Sequence, residues 1–186
     1  MHTIKTENSS VILIFRQKMS DIGLLMKFKL SLTVVFSALL ACLIAADTKV
    51  HWYYLALLFT GGMLTSGAAN GLNQVLEKDY DKLMKRTQNR PLVVGRMSVS
   101  EGVLFSGFMA LIGISLLALI NPITAFIGML SLIMYAFIYT PMKRVSNIAV
   151  FIGAFPGAFP IIIGCSAVEG TLSSLGLSLF ILQFIW

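Results

Sequence analysis

Six stretches of this chain are apolar for long enough to be read as bilayer-crossing runs, and that constrains its fold more than any other feature. They are approximately Leu30–Ala46, Tyr53–Leu76, Val103–Ile120, Ile123–Tyr139, Ile148–Ala167 and Leu172–Trp186. A hydrocarbon core of about 30 Å takes roughly 20 residues of helix at 1.5 Å per residue. No water is present there to satisfy backbone groups, so each run must pair its own N–H and C=O groups and is expected to be helical. The near absence of apolar/polar alternation argues against a barrel. Composition agrees: 57% of residues are hydrophobic and 12% are charged, against about 25% charged in soluble domains. The predicted fold class is an all-α integral membrane protein, a multi-helix transmembrane bundle.

Orientation follows from the cations. With the N-terminus on the cytoplasmic side, 13 of the 14 Lys and Arg face the cytoplasm and only Lys49 lies outside. Loop Lys and Arg set topology far more than acids do. The net charge of +6 thus belongs to one membrane face, where it attracts anionic lipid; a nucleic-acid partner is not expected. The N-terminal stretch MHTIKTENSSVILIFRQKMS holds an apolar run too short to span and no small-residue cleavage site, so no signal peptide is read there. Glu7 and the modest Arg content argue against a mitochondrial transit peptide, leaving a bacterial plasma membrane as the expected setting.

Other features point to packing. Cys42 and Cys165 lie in separate apolar runs without metal-like spacing and read as small hydrophobes. Gly62 and Ser66 with Asn70, and Gly153 and Gly157, are spaced to let helix backbones approach, while Pro156 and Pro160 free carbonyls and favour a kink beside a cavity. Asn70, Asn73 and Gln74 end the second run. Amides are costly against lipid tails, so these three are expected to face protein or water.

Scarce charge then gathers in NGLNQVLEKDYDKLMKRTQNRPLV, residues 70–93. Asn73, Glu77 and Asp81 are spaced i, i+4, i+8; each step turns a helix about 400°, so the row drifts only about 40° per step and rises about 12 Å in all. Two carboxylates and an amide oxygen on one face are the hard ligands that magnesium takes, with water and substrate phosphates completing its shell. Lys85, Arg86 and Arg90 follow, the arginines suited to gripping phosphate oxygens in pairs and the lysine to acting as a point charge. On spacing alone a solvated helix end is equally served, since Asp81 and Lys85 form an i, i+4 pair.

NQVLEKDYDKLMKRTQNRPLV resembles the first aspartate-rich motif of the UbiA superfamily of intramembrane prenyltransferases, in particular its heme-farnesylating branch. The superfamily pattern is Asn-x3-Asp-x3-Asp; in the heme branch the middle acid is commonly Glu, as at Glu77. Asp81, Met84, Arg86, Thr87, Arg90, Pro91 and Leu92 match the branch's tail in order. MKFKLSLTVVFSAL resembles the family's first-helix start, with Lys29 where arginine is commoner, and YTPMKRVSNIAVFIGAFPGAFPIIIG resembles its loop and fifth helix.

The resemblance implies an enzyme that joins farnesyl diphosphate to a vinyl group of protoheme IX, with water added and diphosphate released, to give heme O. It implies Mg2+ held by Asn73, Glu77 and Asp81, diphosphate bound by Lys85, Arg86 and Arg90, and a heme A synthase as a downstream partner. Some of the Phe and Met residues are candidates for the wall of the farnesyl groove, most of them being expected to face lipid or fill the core. Lys27, Lys29, Lys143 and Arg144 are candidate contacts for heme propionates, with a plain topological role as the alternative. His2 and His51 are not expected to ligate the heme iron. The family has nine transmembrane helices and a second acidic motif after the sixth. The resemblance therefore implies that residues 27–186 are a partial UbiA-type domain behind an N-terminal cytoplasmic segment, residues 1–26, and that activity belongs to the complete protein. Two other readings stay open: a sister prenyltransferase acting on a quinone precursor, and a non-catalytic membrane module or transporter.

Overall fold

The computed structural model describes residues 3–46 and 50–186, with side chains described at residue 13 and from residue 15 onward within those ranges. His2 and Lys49 lie outside the described residues. Seven helices make up the fold among them, without a strand: α1 (Thr3–Leu25), α2 (Phe28–Ala45), α3 (Trp52–Asp81), α4 (Val99–Ala118), α5 (Pro122–Met142), α6 (Ile148–Glu169) and α7 (Ser174–Ile185). Five of them, α2 to α6, are long and apolar enough to cross a membrane. The sequence suggested a sixth span over 172–186. The helix there has 12 residues, about 18 Å at 1.5 Å per residue. Two polar residues set its start, with Ser173 capping it by accepting from the Gly176 N–H. The N-terminal helix α1 was not foreseen, because its apolar run is short and flanked by charge.

Local chemistry fixes the helix ends. A capping box starts α4, Ser98 accepting from the Glu101 N–H while the Glu101 carboxylate accepts from the Ser98 N–H. Asn121 caps α5 ahead of Pro122, which suits the first helical position. Gly170 ends α6 in the left-handed region at φ 67°, where a Cβ would be strained. Lys27, between α1 and α2, adopts the same region at φ 48° without being glycine, an uncommon conformation that cannot arise from sequence preference.

Packing inside a bilayer gains nothing from hiding oil in oil, so close backbone contact and buried hydrogen bonds must hold the helices. A Cβ on Gly164 of α6 would collide with the Ala38 carbonyl of α2. A Cβ on Gly113 of α4 would come within 2.8 Å of the Thr65 backbone nitrogen of α3. Between α2 and α3, Ser31 Oγ accepts from Ser66 Oγ at 3.1 Å and from Asn70 Nδ2 at 3.2 Å. Far from the charged end, Asn121 Nδ2 donates to the Ser166 carbonyl at 2.7 Å, tying α5 to α6. Phe155, Phe159, Phe180 and Phe184 form a ring cluster that seats α7 on α6.

The end of α1 is held just as specifically. Gln74 of α3 donates to the Leu24 and Leu25 carbonyls at 2.9 and 2.7 Å, serving acceptors at the helix terminus. Buried Asp21 pairs with Arg96 at 3.0 Å, and Lys18 with Glu101 at 2.8 Å. Replacing Gly164 by Ala is expected to lower stability by about 1–3 kcal/mol through overpacking. Gly157→Ala, where nothing lies within 4 Å, is expected to be tolerated; thermal melts of both variants in detergent check the contrast.

Candidate functional site

The α3 row predicted from the sequence is one continuous face, and it is buried. Asn73, Glu77 and Asp81 are 1%, 8% and 4% exposed. A 30-residue helix carries them: the apolar start of α3 crosses the bundle and its polar end runs on to Asp81 without a break. They line one wall of a cavity of about 890 Å³. The α1 end contributes Ser20, Gly23 and Leu24 to its walls, the α1–α2 turn Lys27, the start of α2 Phe28 to Leu30, the α3–α4 loop Arg86, Asn89 and Arg90, and α5 Tyr135 and Tyr139, with Lys143 just beyond.

A buried carboxylate needs a partner or it neutralises itself. Each one here has a cation brought from elsewhere in the chain. Asp81 accepts from Arg90, nine residues on, while Thr87 Oγ1 donates to the Asp81 carbonyl at 2.9 Å and folds the intervening loop back. Glu77 Oε2 accepts from Lys143 Nζ at 2.7 Å, and its other oxygen lies 3.7 Å from Arg144. Arg144 is fixed by donating to the Leu76 carbonyl at 2.8 Å and by lying 4.0 Å over the Tyr80 ring.

Asn73 is bonded through both ends of its amide. Its Nδ2 donates to Glu77 Oε2 at 3.0 Å and to Thr140 Oγ1 at 2.9 Å, and its Oδ1 accepts from Lys27 Nζ at 3.2 Å. The unusual backbone of Lys27 thus delivers an ammonium to the acid row. Burial first, then the Arg90 and Lys143 charges, push that ammonium down to about 8, against the pull of Glu77 and Asp81. The cations lining the cavity outnumber its two carboxylates, and that surplus favours the arrival of an anion.

Of the ten residues singled out from the sequence, eight therefore meet here: Asn73, Glu77, Asp81, Arg86, Arg90, Lys27, Lys29 and Lys143 line the cavity. Arg144 touches the site only through Glu77 and Tyr80. Lys85 is exposed and does not line the cavity; the loop that returns Arg90 to Asp81 carries Lys85 outward. Lys27 and Lys143, read from the sequence as candidate propionate contacts at the rim, sit on the amide and carboxylate of the acid row itself. Sequence reasoning missed Thr140, Tyr135 and Tyr139. The spacing of four from Tyr135 through Tyr139 to Lys143 was the available signal, since it puts the three on one side of a helix.

That stretch of α5 has a further peculiarity. Residues Met134–Tyr139 form a π-helical segment, a geometry met mostly as single turns at functional sites. The Tyr135 and Tyr139 rings stack with centroids 5.6 Å apart, and together with Leu30 they line both the polar cavity and a second, apolar one. The second cavity, about 390 Å³, runs between α2, α3, α5 and α6 along Gly153, Pro156, Gly157 and Pro160. Among the described residues none of its lining is Phe or Met. Small and ring-locked residues leave space, whereas the phenylalanines fill it between α6 and α7.

The acid row fits a magnesium ion by donor chemistry. Among the described residues no three His, Cys, Asp or Glu side chains cluster, so the row offers two carboxylates and one amide oxygen. That sparse, all-oxygen share is what magnesium takes when substrate phosphates and water supply the rest.

The fold is thus a helical bundle in which a charged cavity adjoins an apolar one. The sequence profile of the UbiA prenyltransferase family matches residues 34–186, and the chain belongs to that family, as a multi-pass membrane protein. It is 41% identical over 168 residues to the protoheme IX farnesyltransferase of Christiangramia forsetii, covering 90% of this chain and 56% of that protein. It is 44% identical over 163 residues to the protoheme IX farnesyltransferase of Cytophaga hutchinsonii, covering 87% and 57%. The chain thus spans little more than half the length of these relatives. Its fold superposes on a UbiA homolog from Archaeoglobus fulgidus bound to GPP and Mg2+ with a TM-score of 0.75 at 16% identity, covering 88% of this chain and 60% of that one. A chain solved in work on digeranylgeranylglyceryl phosphate synthase in membranes gives 0.82 at 19%, covering 91% and 59%.

Arg86 and Arg90 separate a free cation from a structural one. Arg90→Ala should destabilise the chain by about 1–3 kcal/mol by leaving buried Asp81 unpaired, whereas Arg86→Ala should leave the melting temperature in detergent unchanged.

Proposed function

We propose that the complete protein transfers a farnesyl group from farnesyl diphosphate to protoheme IX, with addition of water, giving heme O and diphosphate. The observation that carries this reading is the junction of the two cavities at Leu30, Tyr135 and Tyr139. A charged head and a long apolar tail have adjoining compartments, and the C1–oxygen bond that breaks would lie between them. The identity of 41–44% to protoheme IX farnesyltransferases supports heme, rather than a quinone precursor, as the acceptor. Against a transporter, the described Asp, Glu, Lys and Arg side chains other than Glu169 gather at one end of the bundle instead of recurring along several helices.

Asn73, Glu77 and Asp81 would hold Mg2+, which supplies a charge against that developing on the diphosphate. Arg86, Arg90, Lys27 and Lys143 would bind the diphosphate oxygens, and Lys29 stands at the cavity edge for a heme propionate. Lys85 and Arg144 fit a direct contact less well, the first being exposed and the second held on Glu77 and Tyr80. The carboxylates are paired with lysine and arginine side chains that also line the cavity, so an arriving diphosphate would meet those cations already in place; preorganised charge of this kind is the main catalytic resource. The stacked tyrosines and the apolar cavity keep water from the allylic carbon as it gains cationic character.

The reading extends to setting and organisation. Residues 27–186 form a partial prenyltransferase domain behind the segment 1–26, the charged mouth faces the cytoplasm across a bacterial plasma membrane, and heme O passes to a heme A synthase.

Incubating the purified protein with farnesyl diphosphate and protoheme IX, and detecting heme O by mass, tests the function. Asp81→Asn should abolish the product while leaving the chain folded, because the amide still accepts from Arg90. Heme O formed at the parent rate by that variant would overturn the assignment.

A further inference from the structure

Thr140 is fully buried, at the point where the π-helical segment of α5 returns to α-helix. Its surroundings fix the direction of every hydrogen bond around it. Thr140 Oγ1 donates to the Tyr135 carbonyl at 2.8 Å, the same carbonyl that accepts the Thr140 backbone N–H in the π turn. A hydroxyl has one proton to give. With that proton committed to Tyr135, Thr140 can meet Asn73 only as an acceptor, and Asn73 must turn its Nδ2 toward it, at 2.9 Å.

The second Nδ2 proton goes to Glu77 Oε2 at 3.0 Å, and on the other side Lys27 Nζ donates to Oδ1 at 3.2 Å. An ionised carboxylate only accepts and an ammonium only donates. Three neighbours thus agree on one orientation of the amide. Of the three, Lys27 and Lys143-bound Glu77 have charged groups that a ligand in the cavity would engage. Thr140, shut away from the cavity and bonded to backbone, keeps its place in either case.

We infer that Thr140 is the positioning residue for Asn73: it holds Nδ2 turned toward itself and Glu77, so that Oδ1 is left on the Lys27 side, where a cation entering the cavity would meet it. The inference rests on the proposed metal site and goes beyond it, since a flipped amide would present an N–H to the cation. Thr140 touches neither metal nor diphosphate. Its effect is carried by one hydrogen bond, so the shape of the side chain is secondary to its hydroxyl. Partners of this kind, one step behind a ligand, typically cost about 10- to 100-fold in metal affinity when removed.

Mn2+ binding by the purified 186-residue chain in detergent, with farnesyl diphosphate present, reads the effect from the loss of the free-ion paramagnetic resonance signal. Four variants are compared with the parent: Asp81→Asn, Thr140→Val, Thr140→Ala and Thr140→Ser. Thr140→Val keeps the shape without the acceptor and Thr140→Ala removes it with no added bulk; both should weaken Mn2+ binding about 10-fold or more, at a melting temperature close to the parent's. Thr140→Ser, which keeps the hydroxyl, should bind as the parent does. If Asp81→Asn weakens Mn2+ binding and the Val and Ala variants do not, the metal site stands and the role of Thr140 is overturned. If Thr140→Ser loses binding along with them, the hydroxyl is not the cause and the inference is overturned. If Mn2+ binding by the parent is indifferent to Asp81→Asn, the metal reading fails and takes this inference with it.

Discussion

Buried carboxylates at the end of a membrane helix govern the rest of this structure. Glu77 and Asp81 are costly to bury in an apolar bundle unless cations reach them. The chain meets that requirement twice with different devices. A short loop turns back to give Arg90 to Asp81, and the end of α5 gives Lys143 to Glu77. Both devices draw distant segments onto α3. The α3–α4 connection, the α5 terminus and the α1–α2 turn converge because the acid row needs them, and the 890 Å³ cavity is the space they enclose.

Packing elsewhere serves the same end of the molecule. Where Gly164 lets α6 lie on the α2 backbone, and Gly113 lets α4 lie on α3, the helices hold together by contact rather than by burial from water. Close contact at those seams leaves room elsewhere. Pro156, Pro160, Gly153 and Gly157 line an apolar cavity because their small or cyclised side chains leave it unfilled. The polar and apolar compartments then share Tyr135 and Tyr139, whose rings are aligned by the π-helical turn.

Much of this was legible in the sequence, for identifiable reasons. The spans of α2 to α6 follow from hydropathy, and the shared face of Asn73, Glu77 and Asp81 follows from helical period alone. The burial of Asn70, Asn73 and Gln74 follows from the cost of an amide in lipid. What escaped was long-range. Nothing local reveals that Lys27 takes a left-handed backbone to reach Asn73 over 46 positions, or that Lys143 lands on Glu77 over 66. The helix α1 escaped because its stabilisation is tertiary: Gln74 satisfies its last carbonyls and Arg96 its buried Asp21. Phe and Met counts do not reveal the apolar cavity, since bulky side chains fill space and cavities are left by small ones.

The central claim is that this charge is a ligand site and not merely the topological signature of a cytoplasmic face. Equilibrium binding of radiolabelled farnesyl diphosphate to the purified chain, with Mg2+ and after its removal by chelator, tests that most directly. The account predicts saturable binding that requires Mg2+ and is lost in Glu77→Gln. Binding that is equal with and without Mg2+, and unaffected by that substitution, would contradict it.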